Sequence, residues 1–227
     1  SSGVDQILGV TVGMIAPPNT QWSWVEGVYF GIGNALEKFG GKLIGGDCSS
    51  GKQKVLSITA IGTVGQLRLH RSNALHGDVL VATGSHGLSR LGLALLLANP
   101  QATKGKLSEE IKAKAIRAHQ RPNPPFNALR TLEGCKPKDL PWRAAGTDSS
   151  DGLLAAVQNL CNSSNCEAVL DLKSLPRDKD WPLGSHWDTW CLNGGEDFEL
   201  VLSLPPKWAE ALLPLLPTSR AIGSMKS

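Results

Sequence analysis

The chain has little that would tie it to a membrane, to nucleic acid or to an oxidising compartment. Its longest apolar run, Leu91 to Ala98, is far too short to span a bilayer, and no signal peptide is evident. The net charge is only +3 and no basic run is interleaved with aromatics, which argues against a nucleic-acid or membrane-surface role. The five cysteines, Cys48, Cys135, Cys161, Cys166 and Cys191, are odd in number and form no Cys-x-x-Cys pair. Neither a zinc cage nor a disulfide framework is expected from them, and a reducing cytoplasm is the default. No Ser-His-Asp arrangement, internal repeat or low-complexity tract is evident, and the histidines are scattered. An initiator Met is lacking too. Ser1-Ser2-Gly3-Val4-Asp5 leads at once into the strand-like run Ile7 to Ile15, so the chain reads as a fragment cut from a longer protein.

What is present is an ordinary soluble composition, 41% hydrophobic and 19% charged over 227 residues. That length holds one large domain or two small ones, each with a core of its own. Val25, Val28, Tyr29, Ile32, Leu36 and Phe39 recur at helical spacing, and Gly40-Gly41 closes the helix. A short strand, Lys42 to Ile44, is expected to run into a turn at Gly45-Gly46-Asp47, with a further strand at Val55 to Gly62. The polar stretch from Gly65 to Asp78 is the candidate domain boundary. Beyond it the pattern gives a strand at Val79 to Gly84, a helix at Leu88 to Ala98, and a helix capped by Ser108 that reaches about His119. Arg121 to Pro125 must be a loop. Strands follow at Trp142 to Thr147, Glu167 to Leu172 and Phe198 to Leu204. A helix face, Leu153, Leu154, Val157 and Leu160, is expected between the first two, and another helix near Lys207 to Leu216. Trp181, Trp187 and Trp190 are expected to cover a loop, and Trp22 and Trp24 to start a helix near a core edge. The mixed order implies an α+β fold, an α/β sandwich.

Chemistry is concentrated in acidic segments. Asp148 and Asp151 stand three apart in Thr147-Asp148-Ser149-Ser150-Asp151-Gly152, at an expected strand-to-helix junction. Capping alone would select these residue types. Two carboxylates crowded into one turn also repel each other, which favours a cation between them, and a helix N-terminus would add amides facing phosphate. Gly45-Gly46-Asp47 reads either as a tight turn or as a place where nucleotide phosphates approach while Asp47 takes metal. Gly194-Gly195-Glu196-Asp197 reads either as a hairpin turn with solvated acids or as a contact for a cationic substrate. Three carboxylates with few basic neighbours in the first two turns suggest a divalent metal and a phosphorylated substrate.

One match misleads. Gly46 to Lys52 fits G-x-x-x-x-G-K, yet the next residue is Gln53, without the hydroxyl that holds magnesium. A strand pattern follows where a P-loop must open a helix.

Taken together and in order, the segments resemble thiamine-monophosphate kinase. The residues that carry the resemblance are Leu43-Ile44-Gly45-Gly46-Asp47, Arg71-Ser72-Asn73-Ala74 with Gly77-Asp78, and Thr83-Gly84 through Ala94. Asp148 to Leu153 and Gly194 to Leu200 complete it. The resemblance covers essentially the whole chain. It implies a two-domain PurM-like fold with an incomplete first domain: 1–66 would be the C-terminal part of the ATP-binding and dimerisation domain, and 67–227 the C-terminal PurM-like domain. It further implies phosphorylation of thiamine monophosphate by ATP in a cytoplasmic homodimer, with no nucleic-acid or membrane partner. Carried over by position, Asp47, Asp148 and Asp151 would hold Mg²⁺, with Asp148 and Asp151 catalytic. Gly46, Asp47, Arg71 and Ser150 would contact ATP, while Glu196 and Asp197 would face the thiamine end. Further acidic segments of the family have no counterpart before Ser1, so about half of its metal site is expected here. The alternatives are another PurM-like ATP-using synthetase, or a non-catalytic nucleotide-binding or dimerisation module.

Overall fold

The computed structural model describes residues 3–103 and 106–227. Its contacts divide the chain into two compact units, one of Val4–Gly65 and one of Gln66–Ser227 joined by Gly3.

The first unit is a three-stranded sheet and one helix. Strand β1 (Val4–Ala16) lies at the centre of the order β2-β1-β3, parallel to β2 (Leu43–Ser50) and antiparallel to β3 (Val55–Val64). Helix α1 (Trp22–Phe39) ends where Gly40 takes a φ of 90° and donates its N–H to the Leu36 carbonyl, the stop expected of a glycine there. No residue of α1 is buried; Trp22 is exposed, and its indole N–H donates to Glu26 at 2.9 Å. Trp22 therefore marks no core edge.

Here one expectation is corrected. Gly45, Gly46 and Asp47 form no turn: β2 runs on through Ser50, and Asp47 pairs with Gly13. Neither glycine has a positive φ. A Cβ on Gly46 would lie 2.1 Å from the Val12 carbonyl oxygen, so that glycine serves close approach of two parallel strands. As the sequence indicates, no P-loop forms: β2 leads through a short loop to β3 and opens no helix.

The second unit is built on an antiparallel five-stranded sheet of order β5-β7-β4-β8-β6. Its strands are β4 (Val79–Ala82), β5 (Ala145–Asp148), β6 (Glu167–Leu170), β7 (Leu200–Leu204) and β8 (Arg220–Lys226). Alternation along β4 and β7 sends side chains to two cores. Val81, Leu200, Leu202 and Leu204 join Trp208 and Leu212 of α7 (Pro206–Leu212) and Leu132 of α4 (Phe126–Gly134). Leu80, Ala82 and Val201 join Leu153, Val157 and Leu160 of α5 (Leu153–Ser164). Helices thus cover both faces, as the α/β sandwich requires. Trp208 is fully buried, and its indole N–H donates to the Leu132 carbonyl at 2.8 Å.

A third cluster joins α2 (Leu88–Leu96) and α3 (Glu109–Gln120) to α6 (Ser185–Asn193). Ser108 caps α3 as its sequence indicates, its hydroxyl accepting the Ile111 N–H at 3.2 Å. Trp181, Trp187 and Trp190 are buried here, edge to face, so they build a core and do not cover a loop.

Candidate active site

Strand β5 carries the acidic turn out of the second unit's sheet. Asp148 is its last residue, and Gly152, with a φ of 104°, closes the turn by donating to the Ser149 carbonyl at 2.9 Å before α5 begins. No side chain caps α5, so its first amides keep the partial positive charge of a helix start.

The third acidic segment folds back onto this turn. Ser149 N–H donates to the Glu199 carbonyl at 2.9 Å, and Glu196 N–H donates to the Ser150 carbonyl at 2.7 Å. Gly195 is required by that approach, because a Cβ there would lie 2.6 Å from the same Ser150 oxygen. Glu196 and Phe198 both adopt positive φ, 65° and 54°, a cost that L residues bear only where surroundings fix them.

Asp148 is the chemical centre of the turn. Burial opposes its ionisation, but hydrogen bonds from the Ser150 hydroxyl and from its own and Ser150's backbone N–H, together with the Arg71 charge, outweigh burial. The carboxyl is held below the usual carboxylate range. Arg71 is placed by its Nε–H, which donates to Thr147 Oγ1 at 3.0 Å. On one side Asp148 borders a polar cleft of about 350 Å³ with Arg71, Ser72 and Thr147 in its wall. On the other it borders a cavity of about 200 Å³ lined by Pro124, Pro125, Phe126, Leu129 and Phe198. Asp151 is exposed and makes no hydrogen bond or ion pair among the described residues. Ser149 Oγ is buried without a partner among the described residues.

The two acids of the third segment part company. Glu196 keeps its carboxylate half exposed, 3.3 Å from His119 Nδ1, while Ser89 Oγ stands 3.0 Å from the same nitrogen. Asp197 is turned inward. It accepts the N–H groups of Gly87 at 2.7 Å and Ser89 at 3.0 Å, at the start of α2, and burial pushes its carboxyl up to about 6. Glu199 is likewise raised by burial and accepts the Thr83 hydroxyl at 2.6 Å. The segment is therefore no hairpin of solvated acids; Asp197 holds a helix, and Glu196 keeps an accessible carboxylate beside His119.

The structure thus brings Arg71, Asp148, Ser150, Asp151 and Glu196 into one unit, while Gly46 and Asp47 lie in the other, on β2. Among the described residues no three His, Cys, Asp or Glu side chains are grouped as a metal site. Asp148, held ionised, and the exposed, unengaged Asp151 are nevertheless hard-oxygen groups of the kind a magnesium ion takes. The sequence reading missed His119, Phe126 and Phe198. His119 and Phe126 reach the site only through long-range packing, and positive φ at Phe198 has no sequence signal.

The family models for AIR synthase related protein match this chain, the N-terminal domain over residues 2–64 and the C-terminal domain over residues 76–223. The thiamine-monophosphate kinase of Prochlorococcus marinus is 60% identical over 225 residues, covering 99% of this chain and 68% of the relative. That of Synechococcus elongatus is 41% identical over 213 residues, 92% of this chain and 62% of the relative. Among solved structures, thiamine-monophosphate kinase from Stenotrophomonas maltophilia superposes with a TM-score of 0.82 at 27% identity, covering 100% of this chain and 71% of that one. A structure described as AaThiL complexed with AMPPCP and TMP gives 0.78 at 24% identity, with 100% and 69% covered.

Proposed function

Because the chain belongs to the thiamine-monophosphate kinase family, we propose that it works in transfer of the γ-phosphoryl group of ATP to thiamine monophosphate, yielding ADP and thiamine diphosphate. The observation that carries this reading is the ionised Asp148 beside Arg71, in a turn bound to Glu196. Phosphoryl transfer asks little covalent chemistry of a protein; it asks for alignment and for neutralised charge.

In this reading Asp148 and Asp151 are the catalytic pair and would hold magnesium, and Asp47, on β2 of the first unit, is the third acid proposed as a metal ligand. The metal would supply charge neutralisation on the phosphate oxygens. For ATP, the second unit offers Ser150, Arg71 as a fixed cation at the polar cleft and the start of α5 as a source of N–H donors, and the first unit offers Gly46 and Asp47 on β2. The exposed carboxylate of Glu196 faces the cationic thiazolium of the acceptor. Asp197 supports that contact from behind by holding α2 to the Glu196 segment.

The first unit carries several exposed apolar side chains, among them Phe30, Leu43, Ile44, Leu56 and Ile58, which suit pairing of two copies as a homodimer. No helix among the described residues is long and apolar enough to cross a membrane. With five free thiols the protein is assigned to the cytoplasm.

The test is product formation from Mg-ATP and thiamine monophosphate, read by chromatography, for this chain and for a version extended to the length of its relatives. Thiamine diphosphate is the expected product. Binding of Mg-ATP with no product from either folded protein would move the assignment to a nucleotide-binding module.

A further inference from the structure

At the C-terminal end of α5 the chain turns through Asn165, whose φ of 51° is left-handed. The N–H groups of Asn165 and Cys166 both donate to the Cys161 carbonyl, the second at 3.1 Å. In this helix terminator the side chains at the two ends of the bridging hydrogen bond are neighbours, commonly as an apolar contact. Here both are cysteines. Each is half-buried, each is a free thiol, and both pack on the apolar cluster beneath α5. Burial pushes the Cys161 thiol up, and Cys166 beside it pushes the same way.

The same turn grips the segment that carries Arg71. The Ser164 hydroxyl donates to the Arg71 carbonyl at 2.7 Å and accepts the Ala74 N–H at 3.1 Å. Cys166 Sγ points at the carbonyls of Ser164, 3.4 Å away, and Ala74, 3.9 Å away. Arg71 in turn reaches Thr147 at the polar cleft.

We propose that Cys161 and Cys166 are a dithiol modification site, closed to an intramolecular disulfide by exchange with a small-molecule disulfide such as oxidised glutathione, and that closure loosens the Arg71 turn. One thiolate of the pair attacks a glutathione sulfur, forming a mixed disulfide and releasing one glutathione thiolate. The other thiolate attacks the protein sulfur of that mixed disulfide, forming the Cys161–Cys166 bond and releasing the second glutathione. Two cysteine thiols are oxidised, one glutathione disulfide is reduced to two thiols, and the two protons pass to them. Closure takes away the S–H that Cys166 directs at Ser164 and Ala74, and it redraws the turn on which Ser164 sits.

Both cysteines fall between Arg143 and Lys173 with no Lys or Arg between those two, so trypsin leaves them on one peptide. The whole chain is treated with oxidised glutathione, its remaining thiols are alkylated, and it is digested without reductant. The expected peptide is two hydrogens lighter than the reduced form and carries no alkyl group. A peptide alkylated at either cysteine, or carrying glutathione, overturns the site. Hydrogen exchange of the oxidised and reduced chains then reads the coupling. The Ala74 amide is expected to exchange about tenfold faster after oxidation, the effect of losing one hydrogen bond; unchanged protection overturns the link to Arg71.

Discussion

The backbone N–H of Glu196 donates to the carbonyl of Ser150 at 2.7 Å, and this bond makes one site of two acidic segments distant in sequence. It sets the exposed Glu196 carboxylate, proposed to face the acceptor, beside the turn that carries Asp148 and Asp151. Gly195 is the residue that permits it. Gly195→Ala is expected to push the segments apart and to lower kcat/KM for thiamine monophosphate by roughly a hundredfold, the scale of an ångström misplacement. Steady-state kinetics with the acceptor varied checks this, and an unchanged value would show the approach to be incidental.

Asp197 and His86 make stability depend on pH in opposite directions. The Asp197 carboxyl, raised to about 6 by burial, keeps a proton that the unfolded chain has already shed. The folded state then binds more protons between about pH 4 and 6, so stability falls as pH rises through that window. His86 is buried and lowered to about 4, so the unfolded chain binds the proton first and stability rises with pH from about 4 to 6.5. Asp197→Asn removes the falling contribution. Its unfolding free energy, from urea titrations, should climb more steeply with pH than the parent's, by about 2 kcal/mol between pH 4 and 6. Parallel profiles would mean that Asp197 ionises normally.

Asp78 is 2% exposed and accepts four hydrogen bonds, two from Arg143 at 2.7 and 2.8 Å, one from the Leu75 N–H at 3.0 Å and one from the Ser203 hydroxyl at 2.8 Å. Removing the guanidinium leaves a buried carboxylate with half of its partners. Arg143→Met is expected to cost about 3–5 kcal/mol by chemical denaturation, and adding Asp78→Asn to recover part of it. A loss no larger than that of an exposed ion pair would contradict the burial argument.

Helices α2 and α3 touch at Gly92, where a Cβ would lie 2.1 Å from the Ala115 carbonyl oxygen. Gly92→Ala should therefore destabilise by about 1–3 kcal/mol, although alanine is the better helix former. Thermal unfolding decides it; a rise in Tm would show that the helices can part without cost.

What could be read from the sequence was local. Gly40 stopping α1, Ser108 capping α3 and the strand-to-helix step at Asp148 to Gly152 each follow from residues within one turn of the event. Gly45-Gly46-Asp47 misled because paired glycines signal a turn, whereas the parallel neighbour that makes β2 continue lies a whole helix earlier in the chain. Asp197 misled in the same way. Its N–H donors on α2 are more than a hundred residues away, and nothing beside it in sequence announces them. Helix α6 was hidden because Trp187 and Trp190 face partners on α2 and α3 while Cys191 faces the core beneath α5, and the run carries no clear helical stripe.

Turnover of thiamine monophosphate by Asp148→Asn, made in the enzyme of full family length, is the most direct test of the account. If Asp148 is the ionised ligand on which phosphoryl transfer depends, kcat falls by two orders of magnitude or more, about 3 kcal/mol of transition-state stabilisation, while the melting temperature stays near the parent's. Undiminished turnover in a folded variant would contradict it and take the chemistry away from this turn.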